Sequence, residues 1–420
     1  MKIIRLIPCL LALGLTAAPA EEEKQPLKFY SLFNGEDLDG WTGEGYIVED
    51  GAIVCTPEGK NLVTESTFSN YVLDLEFKLP PGGNNGIGIH YPGKGNPADV
   101  GMEVQVLDNS AEKYADLKPG QFHGSLYLLA AAEKGHLKPV GEWNLQRIIV
   151  NGPTVEVNLN GHTILEADLD ELAEKHPDHE GVKRRAGHLA LCGHGDRVAF
   201  RKPRIAEIPP AANEEGARAA GFEPIFDGRT LEGWRLGEGS EGHWVPINGI
   251  LKYSGNSPAK MKHLWTEKSY EDFSLAFDWR WAEDGPLMER PIIGPDGNNT
   301  GETVEVMELD SGVFLRGQVK SQVNLWNWPA GSGEVWGYRT DNSQPAEVRA
   351  AVTPKVQADN PVGEWNRMLI TLQDETLTVV LNGRTVIDGA ELPGVPDEGP
   401  IGLQHHGHAI DFANLWIQEL

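Results

Sequence analysis

Glu103 and Gln105 alternate with Met102, Val104 and Val106 in the segment GMEVQVLDN. Successive side chains of a strand point to opposite faces, so the apolar three build a core and the carboxyl and amide share the other side. A carboxylate there can serve as a general base, and an amide beside it can donate to an oxyanion. In NNGIGIHY, Ile87 and Ile89 take the core side, while Gly86, Gly88 and His90 take the opposite one. Glycine on a sheet face leaves room for a ligand against the backbone. Together the two segments predict a groove floored by His90, Glu103 and Gln105 and suited to a sugar; the alternative is a solvated outer face with no ligand.

Further candidates surround this pair. His123, Ser125 and Tyr127 alternate in HGSLY and predict one edge of the groove. His123 is a candidate proton shuttle near neutral pH, or else a hydrogen-bonded structural histidine. His194 lies in CGHGD, and its counterparts His405, His406 and His408 lie in QHHGHA. Glycine-flanked histidines can bind a divalent cation, but three so close rarely supply a whole site, so no cofactor is expected. The segment 296–302, DGNNTGE, matches the first half of a calcium loop but has Met307 where the twelfth-position Glu belongs. Trp326, Trp328 and Trp336 are candidate stacking platforms for sugar rings, whereas Trp279 and Trp281 read as core.

The elements that must position these groups are written twice. VGEWNLQRIIVNGPTVEVNLNG from Val140 returns as VGEWNRMLITLQDETLTVVLNG from Val362. LFNGEDLDGW from Leu32 returns as IFDGRTLEGW from Ile225, and the closing segment from Gly187 returns from Gly399. This is a duplicated domain, and the shared Trp143 and Trp365 read as framework. Val155, Val157 and Leu159 alternate with polar residues before the Asn160-Gly161 turn, and Asn151-Gly152 makes an earlier one. A three-stranded meander follows, with a short helix predicted from Leu169 to Lys175. Many short alternating strands indicate an all-β fold, two jelly-roll sandwiches in tandem over 27–208 and 223–420, joined by a polar Ala/Pro-rich linker at 209–222. In the second copy Gly312, Phe314 and Arg316 oppose Val313 and Leu315, and Gln322 and Asn324 share their side. Gln322 stands where Glu103 stands, and an amide cannot act as a base, so the first copy is the better catalytic candidate.

The chain has 420 residues and a net charge of −26, which argues against nucleic acid and anionic membranes as partners and is compatible with neutral sugars. Residues 1–20 read as a secretory signal: Lys2 and Arg5, then a short apolar run, then Ala18-Pro19-Ala20. The expected location is periplasmic or secreted. Cys55 and Cys192 remain as either a disulfide or two buried thiols. Oligomeric state is not legible in the sequence.

These motifs, in this order, resemble the 3-keto-disaccharide hydrolase family, and the resemblance covers both copies. It implies a concanavalin-like jelly roll related in shape to laminarinases, in exported proteins acting on glycosides oxidised at C3. It carries Glu103, Gln105 and Tyr127 onto groove positions. The chain departs at His90, where the family has Arg; the second copy keeps that residue as Arg316 but lacks the Glu. A ketone at C3 acidifies the proton on C2. A base removes it, the C1 substituent leaves by β-elimination, and water adds to the enone. The expected roles are Glu103 or His123 as base, Gln105 and His90 as oxyanion donors, and Tyr127 as acid or positioner. His194, alone or with a cation, is held in reserve for the enolate. Two alternatives stand: a non-catalytic carbohydrate-binding protein, and a retaining glycosidase using Glu103 with Asp108. The second needs a β-bulge to bring both carboxyls to one face, about 5 Å apart.

Overall fold

The structure, a computed structural model, describes residues 26–256 and 263–420; the signal-like segment 1–20 lies outside them. Each copy is an antiparallel sandwich of a larger and a five-stranded sheet. In the first copy the five strands run Trp41–Gly43, Asn61–Phe68, Gly187–Cys192, Asn84–Tyr91 and Met102–Leu107 across the sheet. The second copy repeats that order with Trp234–Arg235, Leu264–Tyr270, Gly399–Leu403, Asp310–Leu315 and Gln318–Trp326. Among the described residues no helix is long and apolar enough to cross a membrane.

The repeated frame folds alike both times. Val155, Val157 and Leu159 are buried, and Asn160 and Gly161 turn with φ of 52° and 90°. Asn160 Nδ2 donates to Asn144 Oδ1 at 2.9 Å, and Asn382 Nδ2 donates to Asn366 Oδ1 at 2.8 Å. The Asn of G-E-W-N therefore clamps the Asn of L-N-G in each copy, which makes the shared frame scaffold. The helix Leu169–Lys175 forms as expected, capped by Asp168, whose side chain accepts from the N–H groups of Asp170 and Glu171. Trp279 and Trp281 pack in the second core. The connector carries a short helix, Glu214–Ala219.

Strand alternation also builds the seam between the copies. Arg280, between Trp279 and Trp281, points away from its own core and is 1% exposed. It donates to Thr67 O of the first copy at 3.0 Å, to Glu207 there, and to Asp411 at 2.7 Å. Lys252 pairs with the same two carboxylates, and Tyr30 donates to Glu207 at 2.5 Å. A backbone bond from Thr67 N to Ala282 O, 3.1 Å, extends the contact.

The segment resembling a calcium loop covers the turn and the start of the second strand of the hairpin Leu287–Ile293 and Asn299–Met307, which among the described residues pairs only with itself. There Asp296 accepts from its neighbour Asn298. Among the described residues no cluster of three or more His, Cys, Asp or Glu side chains is placed to hold a metal ion. Cys55 and Cys192 are free, buried thiols.

Candidate functional site

The strands Asn84–Tyr91 and Met102–Leu107 pair without a register shift, Gly86 opposite Gln105 and Gly88 opposite Glu103. Ile87, Ile89, Met102, Val104 and Val106 fill the core. Glu103 and the two glycines therefore share the outer face, as alternation requires. The glycines serve a different purpose from the one expected. A Cβ on Gly86 would meet Glu103 Oε1 at 2.0 Å, so the bare backbone holds the Glu103 carboxyl itself. A Cβ on Gly88 would meet Ala190, Cys192 and Pro97, so packed side chains cover that position.

Glu103 is 5% exposed, and among the described residues its Oε1 has no hydrogen-bond partner. His194 Nε2 lies 3.8 Å from it, on a ring about half exposed at 46%. Burial, then the neighbouring Glu103 charge, pushes the Cys192 thiol well above its ordinary value. The stretch 124–127 runs beside Met102–Leu107: Tyr127 N donates to Glu103 O at 2.8 Å, and Gln105 N donates to Ser125 O at 3.0 Å. Val104 bridges Leu126, which puts Leu126 in the core. Tyr127 is half-buried, and its hydroxyl accepts from Gln121 Nε2 at 3.0 Å.

Four expectations need correction. His90 leaves the groove because its φ of 49° breaks the alternation; its ring is fully buried, and burial lowers its pKa to about 4. Arg316 has the same left-handed backbone at φ 47°. Its guanidinium donates to the carbonyls of Glu271, Asp374 and Pro396 and to Asp272 Oδ1, and so ties loops together away from the groove. His123 sits before the turn at Gly124 and lies in the core: its ring is 4.9 Å from that of Phe77, and Nδ1 accepts from Leu107 N. Burial lowers its pKa to about 3, so it is neutral there. Gln105 keeps its face, but its amide nitrogen already donates to Asn84 Oδ1 at 2.6 Å and Asn85 O at 3.3 Å. It has no N–H left for an oxyanion.

The carboxyl pair of a retaining glycosidase also fails to form. The Met102–Leu107 pairing has no bulge, and Asp108 accepts from Gly82 N and Ser110 N at a turn.

In the second copy Gln322 and Asn324 hold the positions of Glu103 and Gln105, opposite Phe314 and Gly312. Gln322 Nε2 donates to Gln404 Oε1 at 2.9 Å. Phe314, in the place of Gly88, is fully buried on that face. Trp326 is also buried, stacked on Trp328 at 4.4 Å, so it offers no platform.

Two neighbours were missed in the sequence. A cleft of about 610 Å³ opens on the same outer face of the first copy, lined by Asn61, Thr64, Tyr91 and His188 and by Glu283 and Asp284 of the second copy. His188 Nδ1 contacts Thr64 O at 2.7 Å, and Nε2 lies 3.4 Å from Asp284 Oδ2. Burial opposes its charge, but the Asp284 carboxylate prevails and raises its pKa. Its opposite phase to Leu189 and Leu191 was the available signal; no local signal pairs it with Asp284.

A 3-keto-disaccharide hydrolase of Bacteroides thetaiotaomicron is 28% identical over 246 residues, covering 46% of this chain and 83% of the relative. A solved structure from Parabacteroides distasonis, described as a candidate glycosyl hydrolase, is 26% identical, covers 43% of this chain and 100% of its own, and has a TM-score of 0.40. A carbohydrate-binding module of Bacillus subtilis is 11% identical over 40% of this chain and 96% of its own, with a TM-score of 0.28. The model of the 3-keto-alpha-glucoside-1,2-lyase-like domain matches residues 28–206 and again 221–418, and the chain belongs to that family, with one domain in each copy.

Proposed function

We propose that the first copy hydrolyses 3-keto-glycosides, with Glu103 removing the C2 proton, and that the protein is exported. One observation carries the catalytic part: a buried carboxylate oxygen with no hydrogen-bond partner among the described residues, 3.8 Å from a half-exposed imidazole. A carboxylate poised without partners is a ready proton acceptor, and His194 connects it to solvent. The Gln105 amide is already engaged and His90 is buried away from the groove, so His194 Nε2–H takes the enolate oxygen. Tyr127 protonates or positions the leaving group. Water then adds to the enone, so the net reaction is hydrolysis. The second copy has a tethered amide at the base position.

Export rests on the residue pattern of 1–20. Expression with and without that segment, followed by cell fractionation, tests it; equal retention in the cytoplasm would overturn it.

The catalytic test incubates the full chain with a 3-keto-glucoside and with the unoxidised glucoside, and follows free 3-keto-glucose. Turnover of the oxidised sugar alone is expected. Glu103→Gln should lower kcat by about 10²-fold or more, the usual contribution of a general base. Full activity in that variant would remove Glu103 from the role. Binding without turnover in the wild type would make the protein a carbohydrate binder.

A further inference from the structure

The five-stranded sheet of the second copy carries an aromatic row where the first has small residues. Across three adjacent strands, Trp265 pairs with Gly402 and Gly402 pairs with Phe314. The corresponding row in the first copy is Val63, Ala190 and Gly88. Leu264 and Thr266 face the core, so Trp265 points out. Its six-membered ring lies directly over Gly402: a Cβ there would meet Trp265 Cζ3 at 2.6 Å. Phe314 buttresses it, with centroids 5.5 Å apart and planes within 24°, and His263 meets it edge-on at 5.9 Å.

This indole forms part of the wall of a cleft of about 490 Å³, with Arg235, Leu236, His263, Gly317 and Pro400 around it. The volume suits a small molecule. His263 Nδ1 accepts from His405 N at 3.0 Å, which leaves its proton on Nε2. Burial lowers its pKa to about 4, so the ring is neutral at pH 7.

We propose that this cleft is a second carbohydrate site, which stacks one pyranose ring of a neutral, unoxidised saccharide on Trp265. The C–H face of a pyranose is weakly electropositive, and an indole face carries the negative side of its quadrupole. A platform fixed by Gly402, Phe314 and His263 loses little freedom on binding. Arg235 and the His263 Nε2–H supply donors at the rim for hydroxyl oxygens. The first copy does chemistry on an oxidised sugar in the reading above, and the second grips an unoxidised one. The grip does not depend on that chemistry.

The test titrates the full chain with maltose, cellobiose and trehalose by calorimetry, with tryptophan fluorescence as a second signal. At least one should bind, and Trp265→Ala should weaken it by about tenfold or more, roughly 1.4 kcal/mol. Gly402→Ala should do the same while keeping the indole, because it unseats the ring; Trp265→Phe should retain most of the affinity. Turnover of a soluble 3-keto-glucoside should be unchanged in all three variants. Absence of binding by all three sugars, or wild-type affinity in Trp265→Ala, would overturn the site. Loss of wild-type turnover would instead count against the catalytic reading.

Discussion

His406 Nε2 stands 3.7 Å from Asp310 Oδ2, the counterpart of the 3.8 Å contact between His194 and Glu103. The imidazole holds its position in both copies, but the carboxyl has moved to the neighbouring strand. Asp310 occupies the place of Asn84, two residues before the glycine that faces Asn324. Burial raises its pKa to about 7.

That shift predicts a pH dependence. A carboxyl raised in the folded state binds more protons there than in the unfolded chain, so stability falls as pH rises from about 4 to about 7. Asp310→Asn should remove this slope and gain up to about 4 kcal/mol over wild type at pH 8, since each pKa unit is about 1.4 kcal/mol. Urea midpoints at pH 5 and pH 8 measure it. An equal difference at both pH values would sink the assignment.

The histidines act with the opposite slope. His90 and His123 have folded pKa values lowered to about 4 and about 3. The unfolded chain takes up their protons first as pH falls below about 6.5, so both cost stability on acidification. His123→Gln should lose less stability between pH 7 and pH 4 than wild type does. Its pH–rate profile should keep the wild-type shape, because the ring lies in the core. A changed profile would restore His123 to the reaction.

Gly86→Ala forces Glu103 off its resting place, because the new Cβ would fall 2.0 Å from Oε1. Gly312→Ala does the same to Gln322 Nε2 at 2.3 Å. Each should cost about 1–3 kcal/mol of stability by overpacking. Only the first should lower kcat. Equal kcat values in the two variants, at matched stability, would separate Glu103 from catalysis.

Asn144→Ala and Asn366→Ala test the repeated frame. Each removes the acceptor for an L-N-G asparagine and for a backbone N–H of Lys138 or Asn360. Each should cost about 1–3 kcal/mol by leaving donors unsatisfied. KM should not change, and a selective rise in KM would contradict a scaffold role.

Arg280→Met leaves Glu207 and Asp411 in the seam with Lys252 as their shared cation and the Tyr30 hydroxyl on Glu207. Breaking a buried ion network this way costs about 3–5 kcal/mol. Calorimetry should show the copies unfolding in separate steps, where the wild type unfolds with them coupled. An unchanged thermogram would show that the seam contributes nothing.

The residues alone determined the duplication, the meander, the Asn-Gly turns and the side of the sheet on which Glu103 lies. Each is a local matter of period-two alternation or of a residue pair that tolerates positive φ. Alternation failed where the backbone turned left-handed, at His90 and Arg316, and where HGSLY changed direction at Gly124. Only the tertiary structure decided what lies against what: that the bare backbone of Gly86 holds Glu103, that Asp284 of one copy reaches His188 of the other, and that Trp265 lies flat on Gly402. Those contacts join residues about 17 to 137 positions apart, across paired strands or across the seam between the copies. They depend on sheet order and register, which no short stretch of sequence contains.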